Sequence, residues 1–303
     1  MNLDKHITPK TVAAIYEHYI TSRTNGHRPH LGGSQIGHHC DRALWYQFRH
    51  AASPIFPGRV LRLFETGDLE EIRIVRNLRD VGVQVWEIDE ATGKQINYTD
   101  HGGHFGLSLD GVGLGFAESG QPHVLEFKTA NTKSFKKMKA EGLESANPQY
   151  WSQVQIGMHY AKLDRAYFFM TCKETDEIHG ERVKYDKAAA LKLVARAEHI
   201  IFTNTPPPKI AESDDWYQCK FCDYRFVCQR GALPEVNCRT CAHATPEKEG
   251  GWSCAINEDG PCKAHLFRPD MMPSAVVDAG DDWVEYEDGT MNKGNSLELY
   301  KND

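Results

Sequence analysis

The sequence predicts an α/β fold in which helices flank a mixed central sheet. Two observations lead to this prediction. Amphipathic helical segments precede and follow a run of short segments with strand patterning, and glycine or proline separates these short segments. The chain also has 303 residues, which is enough for one large core with a small appendage.

Helices are expected wherever apolar residues recur at helical spacing. Ser34 is expected to cap the second helix, and the proline run that begins at Pro206 should end the last one. The predicted helices cover residues 9–22, 34–48, 59–80, 132–141, 147–161 and 187–203. The predicted strands cover residues 83–88, 94–98, 105–112, 123–129, 166–172 and 180–186.

Charge is distributed unevenly along the chain. The net charge is -7, and residues 277–303 carry eight acids and two lysines, so the remainder is nearly neutral. We therefore expect an acidic, partly disordered tail that is solvated, with a mimic of DNA phosphates as the alternative. A local basic groove elsewhere is compatible with this balance.

Several compartments are disfavoured by the sequence. No apolar run approaches a membrane span, and the first residues lack the apolar core of a secretory signal. We therefore expect a cytoplasmic protein without a membrane partner. Nine cysteines in such a chain suggest metal ligands rather than disulfides, and Cys172, inside an apolar run, is expected to be a buried thiol.

The main catalytic signal is formed by Asp110, Glu126 and Lys128. Glu126 and Lys128 are two residues apart in an apolar strand, so their side chains should point to the same face. Carboxylates hold Mg²⁺ or Mn²⁺ at sites of phosphodiester hydrolysis, and a nearby lysine can stabilise the developing charge. The alternative is a purely structural ion pair.

Three further segments extend this signal into a family resemblance. Leu125–Lys128 reads L-E-x-K, Tyr150–Gln155 reads Y-x-x-Q-V-Q, and Gly67–Glu71 reads G-x-x-x-E. In their order along the chain, with Gly67–Glu71 first, they resemble the PD-(D/E)xK nuclease superfamily, and specifically its RecB-like and lambda-type exonucleases, over about residues 31–230. The resemblance implies a restriction-endonuclease-like core.

The resemblance also assigns roles to individual residues. It implies that Gln153 is the active-site glutamine and that Glu71 approaches the metal, with Glu70 as a competitor. One departure is that many RecB-like relatives have a histidine in the upstream helix and a Q-x-x-x-Y pattern. Here Gly157 stands four residues after Gln153. His104 is a candidate substitute for the missing histidine contact, although a surface position is favoured for it.

Two groups of cysteines suggest metal sites. Cys40 with Cys219, Cys222 and Cys228 resembles the four ligands of AddB-type and CRISPR-associated nucleases, which implies a [4Fe–4S] cluster. The alternative is zinc, with His38 or His39 taking part. The second group suits a small zinc knob, with His243 or His265 as replacement ligands and free thiols as the alternative; its members are Cys238, Cys241, Cys254 and Cys262.

A lysine-rich segment directly follows the catalytic strand and could track a phosphate backbone. Aromatic residues nearby could stack on unpaired bases. The expected DNA contacts are Lys133, Lys136, Lys137, Lys139, Tyr150 and Trp151, with Phe135 also considered. A solvated helix face and core aromatics are the alternatives.

These patterns together predict a DNA exonuclease with three regions. Residues 1–230 form the nuclease domain with its cluster, 231–270 the cysteine-rich zinc knob, and 271–303 the acidic tail. The resemblance implies a role in recombination, repair or end processing, possible phage origin with a host-cytoplasm location, and a single-strand annealing or recombination protein as partner. The alternatives are a nuclease that trims DNA for CRISPR adaptation and a non-catalytic DNA- or partner-binding protein. The oligomeric state is not determined by the sequence.

Overall fold

The structure is a computed structural model, and it describes residues 8–23, 26–256, 264–293 and 296–298. The chain forms two compact units, each assembled from separate chain segments. The first comprises Met1–Gly26, Pro54–Asn97 and Ser108–Ala190, and the second comprises His27–Ser53, Tyr98–Leu107 and Leu191–Asp303. The boundaries expected near residues 230 and 270 stay predictions.

The first unit is built on a five-stranded mixed sheet, which confirms the predicted fold class. Its strands in sheet order are β10 (Ile178–Lys184), β9 (Arg165–Cys172), β8 (His123–Ala130), β7 (Gly111–Leu114) and β2 (Gln84–Trp86). Only β8 and β9 run parallel, and the other neighbours are antiparallel. Between β2 and β7 in the sequence, β3 (Ile88–Asp89) and β4 (Lys94–Gln95) form a short antiparallel hairpin.

Helices flank this sheet as the apolar spacing predicts. They are α3 (Gly58–Asp80), α4 (Thr132–Ala146) and α5 (Pro148–Ala161). Helix α1 (Lys10–Thr21) packs on α3, and α6 (Lys187–Phe202) begins in this unit. The C-terminal half of α3 packs on the sheet through Ile74, Val75 and Leu78, which join Leu125 and Phe127 of β8 in one buried cluster. This packing fixes α3 against the strand that carries Glu126 and Lys128.

A glycine lets α5 approach the sheet closely. A Cβ at Gly157 would lie 3.2 Å from Leu109 and 3.4 Å from Val124. Tight packing of this kind favours a small residue, since a larger side chain would push the helix outward. Close packing therefore gives a physical reason why position 157 is occupied by glycine.

The second unit contains short elements from three parts of the chain. Strand β1 (Leu31–Gly32) pairs in parallel with β6 (Phe105–Ser108), which neighbours β5 (Asn97–Asp100). Helix α2 covers only Asp41–Phe48, so the prediction that Ser34 caps a longer helix is wrong. Cys40 is extended and its sulfur accepts a hydrogen bond from the Ala43 N–H, so Cys40 takes the capping position.

The remainder of the second unit contains two short helices and two sheets. Helices α7 (Tyr217–Lys220) and α8 (Arg225–Gln229) precede a hairpin of β11 (Ala244–Pro246) and β12 (Trp252–Cys254). An antiparallel sheet follows, made of β13 (Val276–Ala279), β14 (Trp283–Tyr286), β15 (Met291–Lys293) and β16 (Ser296–Glu298). Composition predicted partial disorder there and did not predict these strands. None of the helices within the described ranges has the length and apolar character that crossing a membrane requires.

Candidate active site

Asp110 lies beside β8, which is the middle strand of the five-stranded sheet. Asp110 directly precedes β7, and its Oδ2 accepts a hydrogen bond of 2.7 Å from the Phe127 N–H. This bond holds the carboxylate beside Glu126 and Lys128, on the strand that pairs with β7. The expected long strand over residues 105–112 is divided at Leu109 and Asp110, between β6 and β7.

Glu126 and Lys128 share a face of β8, as the alternation of side chains predicts. The Lys128 Nζ donates to Glu126 Oε1, and the Glu126 side chain is only 3% exposed. The Lys128 ammonium also lies 5.4 Å from the centre of the Tyr150 ring on α5. The ion pair considered as the structural alternative is thus present, but it lies within a larger cluster of acids.

Helix α3 contributes two neighbouring acids that face different partners. Glu70 is occupied, since it accepts a hydrogen bond of 2.9 Å from the Thr171 hydroxyl and lies 3.3 Å from the Arg73 guanidinium. Glu71 instead interacts electrostatically with Asp110 and Lys128. Of the two acids considered from the sequence, Glu71 is the one that interacts with Asp110 and Lys128.

Three acids share one lysine in this cluster. Burial raises the pKa of Glu126 to about 8 despite the nearby Lys128, and burial together with Asp110 raises the pKa of Glu71 to about 7. Burial also raises the pKa of Asp110, although Lys128 and the Phe127 N–H oppose it. Burial alone would lower the pKa of Lys128, but Glu126 and Asp110 outweigh it and raise that pKa. Near neutral pH the three carboxyls beside Lys128 therefore cannot all be charged, and without a cation the site retains protons.

A cavity of about 420 Å³ opens above the cluster. Its walls come from α3, α5 and the sheet, and its lining residues are Leu63, Phe64, Gly67, Asp68, Glu70, Glu71, Ile74, Asp110, Phe127, Lys128, Thr129, Tyr150, Phe169 and Lys173. Sequence reasoning missed Asp68 and Lys173 as members. Lys173 reaches the cavity from the end of β9, a position that no local motif marks.

Gln153 and the expected DNA contacts lie at different distances from this cavity. Gln153 is half-buried on α5 one turn after Tyr150, which places it on the same helix face, although it is not among the lining residues. Trp151 lines a separate hollow beside β10, and Phe135 is buried, so the idea that Phe135 stacks on bases is wrong.

The four lysines of α4 are all exposed but differ in their partners. Lys137 lies 3.7 Å from Glu141, and Lys139 lies 3.5 Å from Glu177. No carboxylate pairs with Lys133 or Lys136 among the residues the structure describes. These two are therefore the lysines of the segment that remain available to an external anion.

Within the second unit, the first cysteine group is brought together. Cys40, Cys219, Cys222 and Cys228 line one small cavity of about 20 Å³, although the chain separates the first from the others by about 180 residues. Burial raises the pKa of Cys222 to about 11, and the neighbouring Cys40 adds to this rise. Arg42, Lys209 and Arg225 line the same cavity, and no carboxylate does.

The second cysteine group lies around the β11–β12 hairpin. Cys238 and Cys241 flank a single helical turn, and Ala244, three residues after Cys241, pairs with Cys254. Cys262 lies outside the described residues. The buried Arg268 donates from Nη1 to the carbonyls of Cys241 and Ala244, so hydrogen bonds also hold this hairpin.

Neither cysteine group nor the acid cluster is at coordination geometry. Among the described residues, no three His, Cys, Asp or Glu side chains stand close enough together to hold a metal ion as they are placed.

His104 is buried in the second unit, where its Nε2 lies 3.0 Å from the Glu247 carbonyl, so the preference for a surface histidine was wrong.

Comparisons with known proteins give structural likeness at low identity. No protein-family profile and no curated protein matches the chain. Two solved structures of LHK-Exo, an alkaline exonuclease from Laribacter hongkongensis, are similar to it. The one in complex with dAMP has 16% identity and a TM-score of 0.41, and covers 62% of this chain and 90% of that chain. The other has 18% identity and a TM-score of 0.38, with 61% and 90% covered. The structure of SSO0001 has 13% identity and a TM-score of 0.42, with 73% and 98% covered.

Proposed function

We propose that this chain is a nuclease that hydrolyses DNA phosphodiester bonds with Mg²⁺ or Mn²⁺. The observation that carries this proposal is the arrangement of three acids around one lysine. Asp110, Glu71 and Lys128 line an open cavity, and Glu126 is buried directly beside Lys128. Buried acids with raised pKa values in a cleft are typical of functional sites. A structural ion pair would need only one of these acids.

The donor set fits a hard divalent cation. Three carboxyls with raised pKa values lie beside one lysine, so a divalent cation that displaces their protons would let them ionise together. Carboxylate oxygens are the ligands that Mg²⁺ and Mn²⁺ prefer. Asp110, Glu126 and Glu71 would hold the ion, together with the main chain at Phe127. When bound, such an ion lowers the pKa of its water and polarises the phosphate.

The protein's own residues have separate roles in this proposal. Lys128 lies beside Glu126 and would stabilise negative charge that develops on the phosphate. Tyr150 holds the lysine ammonium near its ring face, and Gln153, on the same side of α5, would orient the attacking water. Lys133 and Lys136 would contact phosphates further along the strand without reading its sequence.

The experiment measures cleavage of end-labelled linear DNA and closed circular DNA by protein purified without oxygen, with Mg²⁺, Mn²⁺ or EDTA. Asp110→Asn and Glu126→Gln should each reduce the rate by about a thousandfold or more, because each removes a metal ligand. Glu118→Gln is the control, since Glu118 lies near Tyr167 and outside the cavity lining. Equal rates for all variants would refute the site, and DNA binding without cleavage would support the non-catalytic alternative.

The finer parts of the proposal concern mode of action and partners. We infer exonuclease action in recombination, repair or end processing, with a single-strand annealing or recombination protein as partner. The L-E-x-K and Y-x-x-Q-V-Q motifs support this inference. Linear DNA degraded while circular DNA survives is the expected result, and rapid cutting of circular DNA would contradict it.

We also propose that the first cysteine group holds a [4Fe–4S] cluster. Four cysteines from two distant segments line one cavity, which is the ligand set such a cluster uses. The basic residues around them suit the negative charge of a metal–thiolate centre. Zinc would use the same thiolates, so iron, sulfide and zinc must be measured separately.

For the second cysteine group we propose structural zinc. Cys238, Cys241 and Cys254 come from one turn and the adjoining hairpin, which is the arrangement expected of a small zinc knob. Zinc at one ion per chain, retained by a Cys40→Ala protein, would separate this site from the first. Absence of zinc above background would refute it.

A further inference from the structure

Helix α3 contains two glycines, and the structure explains only one of them by packing. A Cβ at Gly58 would lie 2.1 Å from the Tyr16 carbonyl oxygen, so α1 can pack on α3 only if residue 58 is glycine. Gly67 lies in the middle of the 23-residue helix, and a Cβ there would meet no atom within 4 Å. Glycine is among the poorest helix formers, so residue 67 weakens the helix without any packing need.

Gly67 nevertheless has a notable position, because it lines the cavity above the acid cluster. It lies one helical turn before Glu71, and Leu63 and Phe64 lie one turn before it on the same face. Both apolar side chains line the cavity and remain exposed, by 38% and 47%. The Phe64 ring is held edge-on to Phe56, with centroids 5.2 Å apart.

The chemistry of this wall differs from that of the cavity floor. Leu63 and Phe64 offer apolar contact only, and the neighbouring Asp68 would repel a phosphate. Lys128, on the floor, and Lys173, at the end of β9, are the groups suited to a phosphate. A polynucleotide seated with its phosphate at the floor would therefore turn its uncharged sugar and base toward α3.

We propose that Leu63, Phe64 and Gly67 form a nucleoside subsite, in which the sugar and base joined to the scissile phosphate lie against α3 and the missing side chain of Gly67 leaves room for them. This inference rests on the proposed nuclease function and adds to it a specific contact surface. Aromatic side chains such as Phe64 bind bases through their faces without selecting one base.

The test compares Gly67→Ala and Gly67→Leu with the parent in three measurements. These are the melting temperature, the KM for DNA cleavage, and inhibition by a deoxynucleoside 5′-monophosphate beside inorganic phosphate. Gly67→Ala should raise the melting temperature by about 2–4 °C, because alanine favours the helix. Gly67→Leu should raise both the KM and the inhibition constant of the monophosphate by about tenfold or more, while inorganic phosphate inhibits all three proteins equally.

Two further variants separate filling of the subsite from stiffening of the helix. Thr66→Ala favours the helix but lies outside the cavity lining, so its KM should equal that of the parent. Phe64→Ala removes the apolar wall and should also weaken inhibition by the monophosphate. A Gly67→Leu protein with the parent's KM and inhibition constant would overturn the inference. If the parent cuts no DNA, the nuclease proposal fails, and calorimetric titration with the monophosphate alone then decides whether the subsite exists.

Discussion

Glu126 and Lys128 form a buried ion pair on one face of β8. The L-E-x-K pattern and the alternation of side chains along a strand were enough to predict that Glu126 and Lys128 share a face. Lys173 and Asp68 could not be found in this way, because they reach the cavity from separate elements whose packing brings them there. Local pattern predicts neighbours along one strand, whereas tertiary packing adds the rest.

The same residue leads to a prediction about pH. The pKa of Glu126 is raised from its ordinary value of 4.5 to about 8, so the folded protein keeps a proton that the unfolded chain releases. Without metal, this carboxyl therefore stabilises the fold fully below about pH 4.5, and its contribution is lost as the pH rises toward about 8. The loss should approach about 1.4 kcal/mol for each unit of pKa difference.

Denaturant unfolding in EDTA at several pH values measures this effect. The free energy of unfolding should fall between about pH 5 and about pH 8 in the parent, and less steeply in Glu126→Gln, which cannot titrate. Saturating Mg²⁺ should oppose the fall, since the ion binds the deprotonated form. Identical slopes in the two proteins would show that Glu126 keeps an ordinary pKa.

At the scale of elements, α5 contains two glutamines of one motif with different surroundings. The fully buried Gln155 donates a hydrogen bond of 2.9 Å to the Lys184 carbonyl and accepts one of 2.8 Å from the Asp186 N–H. These two bonds connect α5 to the end of β10. Gln153 is half-buried and has no hydrogen bond of this kind among the described residues. The sequence motif contains both glutamines and does not predict which of them is buried. Their different burial follows from the orientation of α5 on the sheet.

Alanine substitution should therefore affect the two glutamines in opposite ways. Gln155→Ala removes two part-buried hydrogen bonds, to Lys184 and Asp186, and should cost about 0.5–1.5 kcal/mol for each. Gln153→Ala should leave the melting temperature within about 1 °C of the parent and slow DNA cleavage by about tenfold or more. Thermal melting and single-turnover cleavage measure the two effects, and a Gln153→Ala protein that melts low but cuts normally would reverse the assignment.

At the scale of the whole molecule, the chain order conceals how the units are assembled. Each unit combines three separated segments, so the boundaries near residues 230 and 270 could not be judged from composition. The acidic C-terminal segment illustrates the same limit, because pairing between β13, β14 and β15 depends on cross-strand contacts that charge content does not reveal. Cysteine spacing was more informative, since the four cysteines that it grouped line one cavity although they lie far apart in the sequence.

The last prediction concerns this shared cavity. A cluster held by Cys40, Cys219, Cys222 and Cys228 would connect the first segment of the second unit with its last. By analogy with disulfides, closing a loop of about 180 residues contributes roughly 5 kcal/mol, which is comparable with the stability of a whole domain. Hydrolysis transfers no electrons, so the cluster is expected to stabilise structure and to take no part in the chemistry.

Cys40→Ala should therefore give colourless protein that is cleaved by protease between residues 210 and 230, where Cys219 lies in α7, Cys228 lies in α8 and Cys222 lies between the two helices. Anaerobically purified parent should be brown, with about four iron and four sulfide per chain. Cys172→Ala is the matched control, because Cys172 is a buried thiol in β9 outside this cavity, and it should keep its iron. Two results would contradict the proposed cluster: zinc at full occupancy in place of iron, or a Cys40→Ala protein that retains both its iron and its melting temperature. The second result would contradict it because iron binding and the stability that it contributes should both depend on Cys40.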